Sequence, residues 1–154
     1  MRVFMAADHG ALELKNDLVI WIRDRHGLEV VDFGVHSSVS VDYPDLAAQL
    51  CRGLLAGDPQ DRGILLCGTG LGMSIAANRW PGVRAALCHD AYTARMSRLH
   101  NDANVLVLGG RVTGLGVARD LVDVWLEESF EGGRHQRRLE KMETLPQGQD
   151  GGNS

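Results

Sequence analysis

Five short, almost wholly apolar runs recur along this chain, each followed by a longer stretch with helical spacing. The runs are Val3–Ala7, Glu29–Phe33, Gly63–Cys67, Val83–Cys88 and Val105–Leu108. Several of them lack the polar alternation of a half-exposed strand, as expected for a parallel sheet covered on both faces. The stretches between and after them, Glu13–Arg25, Asp45–Leu55, Met73–Arg79, Asp90–Leu99 and Val117–Glu128, supply the cover. In the first, Leu14, Leu18, Trp21 and Ile22 follow helical spacing while Lys15, Asp17, Arg23 and Asp24 take the other side. Alternation of this kind predicts a three-layer α/β/α domain with right-handed crossovers.

Gly132-Gly133 then breaks the chain before a last helix, Arg134–Glu143, which has few apolar positions. Its packing on the parent core is therefore not assured, and reaching over a neighbouring subunit is open to it. Residues 1–145 read as one domain. Residues 146–154, rich in Gly, Gln, Asp and Asn, read as a disordered tail.

The formal net charge of -4 argues against a general grip on nucleic acid, which needs a clustered positive excess. A local group of arginines can still hold one small phosphate. Three cysteines without framework spacing favour free thiols and a reducing compartment. No secretory pattern opens the chain, and its apolar runs are too short to cross a bilayer. The expectation is a cytoplasmic protein without a membrane partner.

The polar residues that look out of place stand just past the strand ends. Asp8-His9 follows the first run, Cys67-Gly68-Thr69-Gly70-Leu71-Gly72 the third, His89-Asp90 the fourth and Gly109-Gly110-Arg111 the fifth. Asp42-Tyr43-Pro44 comes ten residues after the second. In an open parallel sheet the carboxyl ends of the strands share one edge, where ligand crevices form. Strand assignment alone thus brings Asp8, His9, Cys67, Thr69 and Arg111 towards one place.

Three glycines at alternate positions, Gly68, Gly70 and Gly72, let the backbone turn its N–H groups inwards before a helix. Such a nest stabilises a phosphate or an oxyanion formed during reaction. A tight strand-to-helix turn with no ligand has the same composition. A dinucleotide fingerprint fails, because Met73 stands where the third glycine belongs and the loop follows the third strand. A phosphate-binding Walker loop fails for want of Gly-Lys-Ser/Thr.

Cys67 is either a general base or the last apolar residue of a buried strand. Cys51 and Cys88 belong to the second class. His100 ends a helix, where a histidine is often only a dipole partner. No His-x-x-x-His or Cys-x-x-Cys pattern supports a metal site. Arg134 and Arg138, four apart, share one face of the last helix.

Taken together, these stretches resemble the ribose-5-phosphate isomerase B and galactose-6-phosphate isomerase subunit family. The matching segments are Ala7-Asp8-His9 with Glu13-Leu14-Lys15, Asp42-Tyr43-Pro44, Ile64 through Asn78, Gly82-Val83-Arg84-Ala85, His100 through Val105, Gly109-Gly110-Arg111 and Gly132 through Arg138. They span residues 1–145 in family order. The resemblance implies a Rossmann-like five-stranded parallel sheet with an extra C-terminal helix. It also implies a homodimer with interface active sites, a dimer of dimers remaining open, and aldose–ketose isomerisation of a sugar phosphate without metal or cofactor.

By the same resemblance, Cys67 is the base that moves a proton between C2 and C1 through a cis-enediolate. Gly68, Gly70, Leu71 and Gly72 belong to its anion hole, with Thr69 near the reacting oxygen. His100 assists opening of the furanose ring, while Asp8 and Tyr43 lie near the sugar. His9, Arg111, Arg134 and Arg138 are the phosphate ligands, and Asn101 joins the binding set. One branch of the family uses a Cys at the strand end and the other a Glu at the position of Met73, so this chain falls in the Cys branch. Ribose 5-phosphate is the expected substrate. Another phosphorylated aldose (tetrose, hexose or other pentose) and a non-catalytic phosphometabolite-binding role are the alternatives. One departure concerns substrate preference: the family commonly has Gly where Ala11 stands, and a methyl there bears on the pocket floor or the helix entry.

Overall fold

A computed structural model describes residues 1–145; the tail expected at 146–154 lies outside them. Five strands form one parallel sheet: β1 (Arg2–Ala7), β2 (Glu29–Asp32), β3 (Arg62–Cys67), β4 (Ala85–Leu87) and β5 (Val105–Gly109). Their order is β2-β1-β3-β5-β4. The helices are α1 (Leu12–His26), α2 (Tyr43–Leu55), α3 (Leu71–Ala77), α4 (Ala91–Asn101), α5 (Leu115–Glu127) and α6 (Arg134–Glu143). A 3-10 turn, His9–Ala11, joins β1 to α1.

Residue alternation along each strand divides the core into two layers. Val3, Met5, Ala7, Ile64, Leu66, Leu106 and Leu108 face α1 and α5, where Leu18, Ile22, Leu121 and Trp125 are fully buried. Phe4, Ala6, Leu65, Cys67, Val105 and Val107 face α2 and α3, meeting Leu50, Leu54 and Met73. Both faces of the inner strands are covered, which is why those runs are apolar throughout.

Local chemistry sets the helix ends. Gly27, at φ +64°, closes α1 with its N–H on the Arg23 carbonyl. Pro44 stands in the first turn of α2. Asp90 caps α4 by accepting the Thr93 N–H at 2.7 Å.

Two expectations need revision. Lys15 does not join the solvated side of α1: it is fully buried, its ammonium 2.6 Å from the Asp32 carboxylate at the end of β2. Spacing reports burial, and here an ion pair replaces solvent. The fourth strand shortens to Ala85–Leu87 because the Arg84 backbone N–H is taken by the Asn104 side chain and its guanidinium by Asp102. The last helix, though poor in apolar residues, docks on its own chain through buried His135 and Leu139, with His135 against α4.

Candidate active site

The connections leaving β1 and β3, which are neighbours, depart to opposite faces of the sheet, towards α1 and α3 respectively. Diverging connections open a crevice at the carboxyl ends of the two strands. Asp8 stands on one side of it and the Cys67–Gly72 loop on the other.

Asp8 is held at the strand end by its backbone, which donates to the Leu66 carbonyl at 3.0 Å. Its Oδ1 accepts the Gly10 N–H at 2.8 Å, capping the 3-10 turn. The β5 loop is zipped to the β3 loop, with Gly110 N–H donating to the Cys67 carbonyl and Arg111 N–H to that of Gly68. These bonds lay the Arg111 side chain over Gly10 and Gly68. A side chain added at Gly10 would begin 3.2 Å from Asp8 Oδ1, 3.4 Å from the Gly68 nitrogen and 3.5 Å from Arg111 Nη2. A carboxylate, a backbone donor and a guanidinium thus surround one point at which no side chain stands.

Cys67 is 5 % exposed, and its Sγ accepts the Gly70 N–H at 3.1 Å. Gly70 takes φ +80°, a left-handed turn that starts α3. Thr69 is exposed and its Oγ1 accepts the Leu71 N–H at 3.3 Å. Tyr43, at the head of α2, lies across the first turn of α3. A Cβ at Gly72 would fall 2.5 Å from its Cζ and 2.9 Å from its hydroxyl. His9 accepts the Val41 N–H at Nδ1 over 3.5 Å, tying the turn after β1 to the segment before α2. The Ala11 methyl is buried in the α1 layer, 2.7 Å from where a Cβ at Gly110 would stand. It therefore occupies the helix entry rather than the pocket floor.

His100, Asn101, Arg134 and Arg138 lie elsewhere. Helix α4 runs back from the carboxyl edge, and Asn104, just past its end, accepts the Gly63 N–H at the start of β3. Its last turn is therefore at the amino edge of the sheet, beyond a strand that rises about 3.3 Å per residue from Gly63 to Cys67. There His100 stacks on His135 of α6, ring centroids 4.1 Å apart and planes within 7°. Arg134 Nε donates to His135 Nε2 at 3.3 Å, and Glu131 Oε2 lies 3.5 Å from the same nitrogen and 3.9 Å from His100 Nε2. Burial first, then the His100 and Arg134 charges, push the His135 pKa down, against Glu131.

Two imidazoles and a carboxylate within 4.8 Å have the donor types of a transition-metal site. The charge around them points the other way. Arg134 occupies the free lone pair of His135, and Arg138 adds a second positive charge. Among the described residues, Arg111, Arg134 and Arg138 meet no carboxylate within 4.0 Å. The arrangement suits an anion more than a cation. A groove of about 480 Å³ between the 78–84 turn and α6, lined by Trp80, Arg84, Leu139 and Met142 among others, includes none of these residues.

Sequence reasoning did not single out His135 or Glu131. The Gly-Gly break and the Arg134/Arg138 spacing marked the helix, but a stack between rings thirty-five positions apart leaves no periodic trace.

A thiol, a carboxylate and backbone donors gathered at one crevice, with arginines that meet no carboxylate, suit the binding of a small phosphorylated substrate. Residues 3–142 match the model of the Ribose/Galactose Isomerase family. Ribose-5-phosphate isomerase B of Escherichia coli is 46 % identical over 146 residues, covering 95 % of this chain and 97 % of that protein. D-erythrulose-4-phosphate isomerase of Pectobacterium atrosepticum is 41 % identical over 143 residues, covering 92 % and 93 %. The structure of Clostridium thermocellum ribose-5-phosphate isomerase B superposes with a TM-score of 0.89 at 50 % identity, covering 93 % of this chain and 95 % of that one. This chain belongs to the ribose/galactose isomerase family and is an aldose–ketose sugar-phosphate isomerase.

Proposed function

We propose that this enzyme interconverts ribose 5-phosphate and ribulose 5-phosphate through a cis-enediolate, without a metal, with Cys67 as the base. The observation that carries the reading is the convergence of Cys67, Asp8 and Arg111 at the β1/β3 crevice. Moving a proton between carbons beside a carbonyl requires a base and donors for the enediolate oxygen, within hydrogen-bond reach of each other. The Cys67 thiolate takes the C2 proton, and the electron pair left behind moves into the C1 carbonyl to give the enediolate. The thiol then returns that proton to C1, while a proton passes from O2 to O1, beside which Thr69 stands. Backbone N–H groups of the Gly68–Gly72 loop other than those of Gly70 and Leu71, which donate to Cys67 Sγ and Thr69 Oγ1, hold the developing negative charge.

Opening of the furanose ring needs a group that exchanges a proton with the ring oxygen, and His100 takes this role. One chain holds His100, Asn101, Arg134 and Arg138 at the sheet edge opposite its own Cys67. We therefore propose a homodimer in which a second copy supplies these four residues to each site. Support comes from Leu71 and Ile75, four apart on α3 beside the site and 57 % and 63 % exposed. The phosphate lies among His9 and Arg111 of one copy and Arg134 and Arg138 of the other. Bidentate arginine contacts there position C1 and C2. Residues 1–145 form the single catalytic domain in this reading, and the enzyme works in the cytoplasm, consistent with three free cysteines. No helix of the described residues is long and apolar enough to cross a membrane.

A second substrate remains in view because a relative of similar identity is named for a four-carbon sugar phosphate. Comparing kcat/KM for ribose 5-phosphate with tetrose and hexose phosphates tests the assignment. Preference for ribose 5-phosphate supports it, and strong preference for another sugar replaces it.

A further inference from the structure

We propose that His135 is a positioning residue of this isomerase, a neutral imidazole that braces the His100 ring by stacking and anchors the Arg134 guanidinium through Nε2. The inference rests on the reading of His100 and Arg134 as substrate groups given above. Three observations lead to it. His135 is 4 % exposed, so its ring is part of the packed junction between α6 and α4 rather than a surface contact. Its plane lies within 7° of the His100 plane at 4.1 Å, a face contact that restricts rotation of His100 about its side-chain bonds. Its Nε2 receives the Arg134 Nε–H, which requires a lone pair there and leaves the ring proton on Nδ1.

Every charged group around the ring bears on this state. His100 faces it from α4, Arg134 and Arg138 from α6 itself, and Glu131 from the segment before the helix. Burial, His100 and the arginines disfavour a proton on His135, and Glu131 alone favours one. A cationic His135 would lose the Arg134 bond and press a positive charge on the ring beside it. One side chain thus couples the group that opens the sugar ring to a group that holds the phosphate.

Two substitutions separate its two contacts. His135→Phe keeps a flat ring beside His100 but removes the acceptor for Arg134. It should raise KM for ribose 5-phosphate about fivefold, the worth of one ordinary hydrogen bond, with kcat little changed. His135→Gln keeps an acceptor but loses the stack. It should lower kcat about fivefold, the worth of an aromatic pair, and shift the acid limb of the pH–kcat profile. Ring-nitrogen NMR of the unaltered protein gives a readout independent of turnover and of variant folding. His135 should be the neutral Nδ1–H tautomer at pH 7. A protonated Nε2 on His135 at that pH overturns the proposal. So do His135→Phe and His135→Gln enzymes that match the unaltered kcat, KM and pH profile. If the unaltered protein turns over no sugar phosphate, the functional reading fails and with it the role in catalysis, whereas the tautomer still tests the anchor.

Discussion

Gly70 donates its backbone N–H to the sulfur of Cys67 at 3.1 Å, across a loop whose left-handed turn lies at Gly70 itself. Gly70, which turns the chain from β3 into α3, therefore also fixes the position of the proposed base. Thiol reactivity should follow this difference in setting. Burial pushes the Cys51 pKa up to about 11, and the Cys88 pKa is raised by the same cause. A raised thiol pKa means less thiolate at neutral pH, so both should resist iodoacetamide in the native enzyme. Mass spectrometry should find Cys67 carboxamidomethylated first, with activity lost in step and sugar phosphate protecting. Earlier labelling of Cys51 would contradict this.

Arg111 should matter for binding and little for stability. It is exposed and meets no carboxylate among the described residues, so the folded state loses no ion pair when it is removed. Arg111→Ala should raise KM roughly tenfold or more, the scale of a charged hydrogen bond of about 1.5–3 kcal/mol. Steady-state kinetics beside a thermal melt checks both halves. Arg111→Lys should restore only part of the loss, because a lysine cannot bond two phosphate oxygens from one planar fork.

The pairing of Gly72 with Tyr43 predicts a specific cost. A methyl at 72 would begin 2.5 Å from the tyrosine ring, so one of the two must move. Tyr43 is 39 % exposed and has room to swing outward. Gly72→Ala should therefore cost at most about 1 kcal/mol of stability, the low end for overpacking, while weakening substrate binding. Denaturant melts and KM measured together would reveal it, and Tyr43→Phe separates loss of the hydroxyl from loss of the ring's position.

Lys15 holds the opposite balance. Its ammonium is fully enclosed, and Asp32 keeps partial contact with water and accepts the Gly34 N–H at 2.8 Å. Lys15→Met should cost about 2–3 kcal/mol, somewhat below the 3–5 kcal/mol of pairs with both partners enclosed. Urea unfolding measures this directly, and an unchanged midpoint would show that the pair is not worth its desolvation.

These cases mark how far the sequence could be read. Apolar runs such as Gly63–Cys67 identify inner strands because burial on both faces removes polar alternation, and residues past their ends locate the crevice. The register and the order β2-β1-β3-β5-β4 depend on pairing between distant segments, which no local period encodes. Lys15 was misplaced for the same reason, since spacing shows which side is polar and not whether a carboxylate waits inside. The His100–His135 stack and the Tyr43–Gly72 contact are tertiary meetings of distant segments, which no local period encodes. The position of His100 at the far edge follows from helix direction, once α4 is known to end beside the start of β3.

In the proposed reaction Cys67 moves the proton. The direct measurement follows exchange of the C2 proton of ribose 5-phosphate in deuterated water by NMR, for the unaltered enzyme and for Cys67→Ala. Exchange is expected with the unaltered enzyme, and a fall of about 10²–10⁴-fold with Cys67→Ala, the usual contribution of a positioned base. Exchange by Cys67→Ala at the unaltered rate would contradict it.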